Sequence, residues 1–186
     1  PSLRRAYDPR QPLLRPYVRE ADAFRAGRST PREVLEAGID RMMRDEAAIR
    51  AFVTHDLAAA RRAADAATAR WKDGRPLSPV DGMPIVVKDM IATAGLPTQM
   101  NNPIYAGWDA RTDAACVFAM REAGAVIVGK TVTTEFACGN SGPTRNPYDS
   151  TRTPGGSSSG SAAAVGAGIA ALGFGTQTHA STIRPA

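Results

Sequence analysis

The chain has 186 residues, enough for a sizeable core in one domain, with a formal charge of +5 and an isoelectric point near 9.7. Its 20 arginines are dispersed and interleaved with acids, as in RMMRDEAAIR, and no ring-and-basic clusters accompany them, which argues against a nucleic-acid partner. Neither a signal peptide nor a run of about eighteen apolar residues is present, which argues against export and against a membrane partner, and for a cytoplasmic protein.

Residues 1–15 are rich in proline and arginine and read as an extended lead-in. A short helical pattern follows from Tyr17 to Gly27. Thr30-Pro31-Arg32-Glu33 predicts a helix start, with Thr30 as N-cap, Pro31 at the first helical position and Glu33 closing a capping box. That helix puts Val34, Ala37, Ile39, Met42 and Met43 on one side, the two methionines as core filler. Leu57 to Trp71 predicts a surface helix that ends near Gly74. The turn-forming run GRPLSPVDGMP then marks a change of texture.

Beyond it, Ile85-Val86-Val87 predicts a buried strand that delivers Lys88 and Asp89 at its end. A helix over Asp113–Ala123 and a strand over Ala125–Val128, joined by Gly124, complete a strand–helix–strand pattern that argues for an α/β fold with parallel pairing. The segment Ser161–Ala171 is apolar on all sides and built of small residues, so it predicts a buried helix in close approach to its neighbours. A short strand over Leu172–Gly175 leads into the polar loop Thr176–Ser181. Cys116 and Cys138 lie among apolar or small residues and read as reduced, partly buried thiols; no Cys/His set has metal-ligand spacing, so no metal and no cofactor is expected.

The 20 arginines stand against only three lysines, Lys72, Lys88 and Lys130. A lysine can lose its proton when desolvated, whereas arginine cannot. Lys72 in WKDGR reads as a surface residue; Lys88, after three β-branched residues, is the candidate base, with a Lys88–Asp89 surface pair as the competing reading. Among glycine-rich loops, a P-loop fails because Gly160 is followed by Ser161-Ala162, and the Rossmann spacing fails because Gly166 and Gly168 fall inside a helix. Gly156-Ser157-Ser158-Ser159-Gly160 matches G-x-S-x-G, but no strand precedes it and neither Asp nor Glu follows Ser158. A serine hydroxyl needs a base, and lysine serves only if burial lowers its pKa from ~10.4 by roughly three.

The segments DGMPIVVKDM (81–90), GAVIVGKTVTTEFA (124–137), PTRNP (143–147), TPGGSSSGSAAAV (153–165) and GTQTHASTIRPA (175–186) together resemble the amidase-signature family in content, order and spacing. The resemblance implies a mixed twisted sheet flanked by helices, in an α/β fold. It implies a division into residues 1–74, an N-terminal helical segment packing on the core, and residues 75–186, the N-terminal part of a catalytic domain that continues downstream. It also implies the catalytic residues: Lys88 as base, Ser157 as bridging serine after a cis peptide, and Ser181 as nucleophile. The oxyanion hole would be the backbone N–H groups of Thr178, His179, Ala180 and Ser181. Ser158 would make a supporting hydrogen bond, and Asn140 and Ser141 fall where the family lines its acyl cleft.

The implied activity is hydrolysis of a carboxylic amide through a serine acyl-enzyme, on a small-molecule amide substrate, with a homodimer as the expected assembly. The alternatives are a non-catalytic relative and an amidotransferase A-type subunit. Two departures from the family pattern bear on them. His179-Ala180 replaces the small pair, commonly Gly-Gly or Ala-Gly, that precedes the nucleophile; His179 then either narrows the acyl pocket or is a tolerated loop residue. Gln177 stands where the A-type subunits of amidotransferases typically carry Asp, and Arg184 is three rather than two positions beyond the serine, which brings the chain nearer to stand-alone amidases. Arg184 either pairs with a substrate carboxylate or braces the loop. Lys130 is expected to be structural.

Overall fold

The structure, a computed structural model, describes residues 17–138 and 141–186; the lead-in over 1–15 and Asn140 lie outside the described residues. Chain order gives α1 (Tyr17–Arg25), α2 (Pro31–Ile49), β1 (Phe52–His55), α3 (Leu57–Lys72), β2 (Pro84–Lys88), α4 (Ala115–Glu122), β3 (Val126–Thr131), α5 (Ser159–Gly166) and β4 (Leu172–Phe174). The α2 start follows its sequence signature: Glu33 N–H donates to Thr30 Oγ1 at 3.2 Å, and Thr30 N–H donates to Glu33 Oε2 at 2.9 Å.

The sheet has the order β1-β3-β2-β4, with β2 parallel to both neighbours and β1 antiparallel to β3. Ile85, Val86 and Val87 are fully buried because both faces of β2 are covered, as parallel strands require. One core joins Leu35, Ile39, Met42 and Ile49 of α2 to Val86, Val126 and Val128, and to Ala163 and Ala164 of α5. A second packs Tyr17, Phe24 and Trp71 against Met83 and Ile85. Full burial of each such large side chain is worth about 1.5–3 kcal/mol. The small residues of α5 let its backbone press onto the sheet. A Cβ on Gly160 would lie 2.3 Å from Ala51 O and 2.4 Å from Val132 N, so no larger residue fits there.

Three expectations need correction, and one strand was missed. Met43 is 71% exposed and Ala37 is exposed too, while Met42 is buried: at about 100° per residue Met42 falls about 20° from Leu35 and Ile49 around the helix, whereas Met43 falls about 80° or more from both. Both cysteines are exposed rather than partly buried. The small-residue helix runs over Ser159–Gly166 instead of 161–171; Gly168, at φ 70°, turns the chain away toward β4. The strand β1 was not expected: its four residues include Thr54 and His55, and only an alternation of half-buried and exposed positions marks them.

Candidate active site

Parallel pairing brings the ends of β2 and β4 together, the place where open α/β sheets hold their ligands. Val87 pairs with Phe174, so Lys88 at the end of β2 faces the loop that leaves β4. Lys88 is fully buried. Its Nζ donates to Ser157 Oγ at 2.7 Å and to Thr176 Oγ1 at 2.7 Å. No carboxylate lies among these partners, so burial alone acts on the amine and lowers its pKa to about 8. Both hydroxyls have a second lone pair free to accept, and an uncharged amine can accept in turn from Ser157.

Ser157 follows a cis peptide with Gly156 and is buried just ahead of α5. Its carbonyl accepts from Thr134 N–H at 3.2 Å, which ties the loop to the segment after β3. Ser158 N–H donates to Ser181 O at 3.0 Å, and Ser158 Oγ donates to Thr176 O at 3.3 Å. The two serine loops are thus joined directly through Ser158. The Ser181 hydroxyl is turned to His179 O at 3.4 Å and makes no hydrogen bond with Ser157 Oγ. The structure brings Lys88 to Ser157 and the Ser181 backbone to Ser158, while the last link between the two hydroxyls is open.

The loop Gln177–Ala180 is exposed and Ser181 is half-buried. The backbone N–H groups of Thr178, His179, Ala180 and Ser181 donate to nothing among the described residues. Ala180 has φ 50°, the left-handed region in which a Cβ costs about 1–2 kcal/mol. Ser181, Thr176, Thr178 and His179 share a cavity of about 290 Å³ with Ala137 and Cys138. Arg184 is exposed and, with Thr134, Ser141, Gly155 and Gly156, lines a neighbouring cleft of about 410 Å³; it has no carboxylate partner among the described residues.

Thr176 was missed from sequence, and so was the structural part played by Gln177. Thr176 is the second acceptor on Lys88, and the parallel register of β2 and β4 was the signal that would have found it. Gln177 Oε1 accepts from Thr182 N–H at 3.0 Å and from Ile183 N–H at 3.1 Å, closing the turn just after Ser181. Gly175, just before Thr176 and Gln177, packs against Ser158 and Thr182: a Cβ there would lie 2.7 Å from Ser158 Oγ and 2.8 Å from Thr182 Oγ1.

Comparison with known proteins matches the Amidase family over residues 33–186. Among curated relatives, the A-type subunit of glutamyl-tRNA(Gln) amidotransferase from Acidothermus cellulolyticus is 44% identical over 181 residues, covering 94% of this chain and 36% of its own length. Its counterpart in Anaeromyxobacter sp. is 41% identical, covering 96% of this chain and 38% of its own. Among solved structures, the native peptide amidase of Stenotrophomonas maltophilia superposes with a TM-score of 0.85 at 32% identity, covering 91% of this chain and 37% of that one. The chain therefore spans little more than a third of the length of the relatives it matches. The match over most of its residues and the shared mixed α/β architecture make this chain a member of the amidase-signature family.

Proposed function

We propose that this chain carries the reacting side chains of a carboxylic-amide hydrolase, with Ser181 as nucleophile, Ser157 as proton bridge and Lys88 as base. The observation that carries the reading is the buried Lys88 amine, 2.7 Å from the Ser157 hydroxyl, with no carboxylate among its partners in the described residues. In the first step the Ser181 hydroxyl leaves His179 O for Ser157 Oγ. Neutral Lys88 takes the Ser157 proton, Ser157 takes that of Ser181, and Ser181 Oγ adds to the amide carbon. The C–N bond then breaks as a proton returns through Ser157 to the departing nitrogen. Water cleaves the resulting ester by the same relay.

The unengaged N–H groups of Thr178 to Ser181 support an oxyanion hole in this loop, where each well-aimed donor lowers the barrier by about 3 kcal/mol. Ser158 holds the Ser181 carbonyl and so positions the nucleophile. Arg184, exposed beside the site and without an acid partner among the described residues, supports a substrate that carries a carboxylate. Release of ammonia from a panel of aliphatic, aryl and carboxylate-bearing primary amides tests the reading. Hydrolysis lost in Lys88→Met, with the melting temperature retained, is expected; undiminished hydrolysis in that variant would remove Lys88 from the mechanism.

A second reading, the A-type subunit of a glutamyl-tRNA(Gln) amidotransferase, is favoured by the 44% identity to that protein. Gln177 and the spacing of Arg184 from Ser181 favour the stand-alone hydrolase instead. Glutamine as the preferred amide in the same panel would decide for the amidotransferase.

A further inference from the structure

Lys130, at the end of β3, is as deeply buried as Lys88 but bonds neither Ser157 nor Ser181. Its Nζ donates to Ile91 O at 2.7 Å and to Thr98 Oγ1 at 2.6 Å, and it stands 3.6 Å from Asp89 Oδ1. All three partners belong to the loop that leaves β2 just after Lys88. That loop is folded back on itself: Gln99 N–H donates to Asp89 Oδ1 and Oδ2 at 3.2 and 3.1 Å, and Met100 N–H donates to Asp89 O at 3.0 Å.

From there the connection passes to the serine cavity. Phe136 N–H donates to Met100 O at 3.0 Å, and Asn102 Nδ2 donates to Glu135 Oε1 at 2.6 Å. The next two residues after Phe136, Ala137 and Cys138, line the cavity with Ser181. Both sides of this junction are left-handed, with φ 56° and 53° at Met100 and Asn101 and 46° and 60° at Phe136 and Ala137. Non-glycine residues stay in that region only where surrounding bonds hold them.

We propose that Lys130 is a positioning residue for the amide site: by pinning residues 89–100 it fixes, through Met100 O, where Ala137 and Cys138 stand opposite Ser181. The proposal deepens the hydrolase reading and rests on it, because that cavity is lined by Ser181, the nucleophile proposed above. It separates the two buried lysines by task, Lys88 moving a proton and Lys130 shaping a wall.

The test is residue-resolved amide hydrogen exchange on the chain and on its Lys130→Met and Thr98→Val variants, with KM and kcat for a hydrolysed amide as a second readout. Thr98→Val removes one of the two short bonds while leaving the amine in place, so it serves where Lys130→Met does not fold. Exchange at Gln99, Met100 and Phe136 should quicken at least about tenfold, with Val86–Lys88 unchanged. KM should rise several-fold, and the pH midpoint of kcat should stay where it was. Unchanged exchange at Phe136, or equal acceleration across β2 and α5, would overturn the proposal. Because exchange needs no turnover, a chain that hydrolyses no amide would sink the hydrolase reading while leaving this result to stand or fall separately.

Discussion

The rate at which a serine-directed fluorophosphonate labels Ser181 should follow the titration of Lys88. Burial holds that amine near about 8, so about a tenth of it is neutral at pH 7 and about nine-tenths at pH 9. Labelling that depends on neutral Lys88 therefore rises about tenfold between those two values and then levels. A solvated lysine near ~10.4 would instead give about a hundredfold rise over the same interval, with no plateau. The assay is the pseudo-first-order labelling rate measured across that range, with the adduct located by peptide mass spectrometry. Lys88→Met should abolish the pH dependence along with most of the rate. A flat profile in the unmodified chain, or the steeper hundredfold rise, would refute the argument that a desolvated Lys88 sets the reactivity of the serine.

Stability should carry the mark of the same group. Folding lowers the Lys88 pKa, so between about 8 and about 10.4 the unfolded chain binds more protons than the folded one, and stability rises with pH in that window. Below it, the cost of burying the charged amine is fully present. Urea unfolding of the chain and of Lys88→Met at both ends of the window should therefore differ in slope, the unmodified chain gaining more; equal slopes would contradict the burial of that charge. Asp81 is fully buried and accepts from Arg70 Nε and Nη2 at 2.8 and 2.6 Å and from Leu77 N–H at 3.0 Å. Asp81→Ala leaves those donors unpaired and should cost about 3 kcal/mol in the same assay, with a loss under about 1 kcal/mol contradicting the role. Ala180→Gly should raise thermal stability by up to about 1 kcal/mol, since glycine adopts φ 50° without a Cβ penalty; a fall would show that the loop relaxes elsewhere.

Much of the frame was legible because local chemistry and tertiary packing agreed. The Thr30–Glu33 capping box, the β-branched run before Lys88 and the glycine between α4 and β3 each act over a few residues, and each stands in the structure as expected. Lys88 is buried at the end of that run, as its setting in the sequence implied, and a cis peptide precedes Ser157, as the family resemblance implied. What escaped depends on distant partners. β1 is a strand because β3 lies beside it, pairing Phe52 with Thr131, and its own four residues carry too weak an alternation to announce it. Thr176 meets Lys88 through the β2–β4 register, 88 residues away in sequence. The Gln177 amide that closes the turn after Ser181, and the path from Lys130 to Phe136, exist only once loops from separate strands converge. The exposed Cys138 belongs to that convergence too, since it lines the serine cavity instead of a core.

Trapping the acyl group from a slowly hydrolysed amide or activated ester and locating it by tandem mass spectrometry reads the nucleophile itself. The ester is predicted on Ser181 Oγ, and it should fail to form in Ser157→Ala at unchanged melting temperature. An ester on Ser157 or Ser158, or normal acylation of Ser181 without the Ser157 hydroxyl, would contradict the two-serine relay from Lys88.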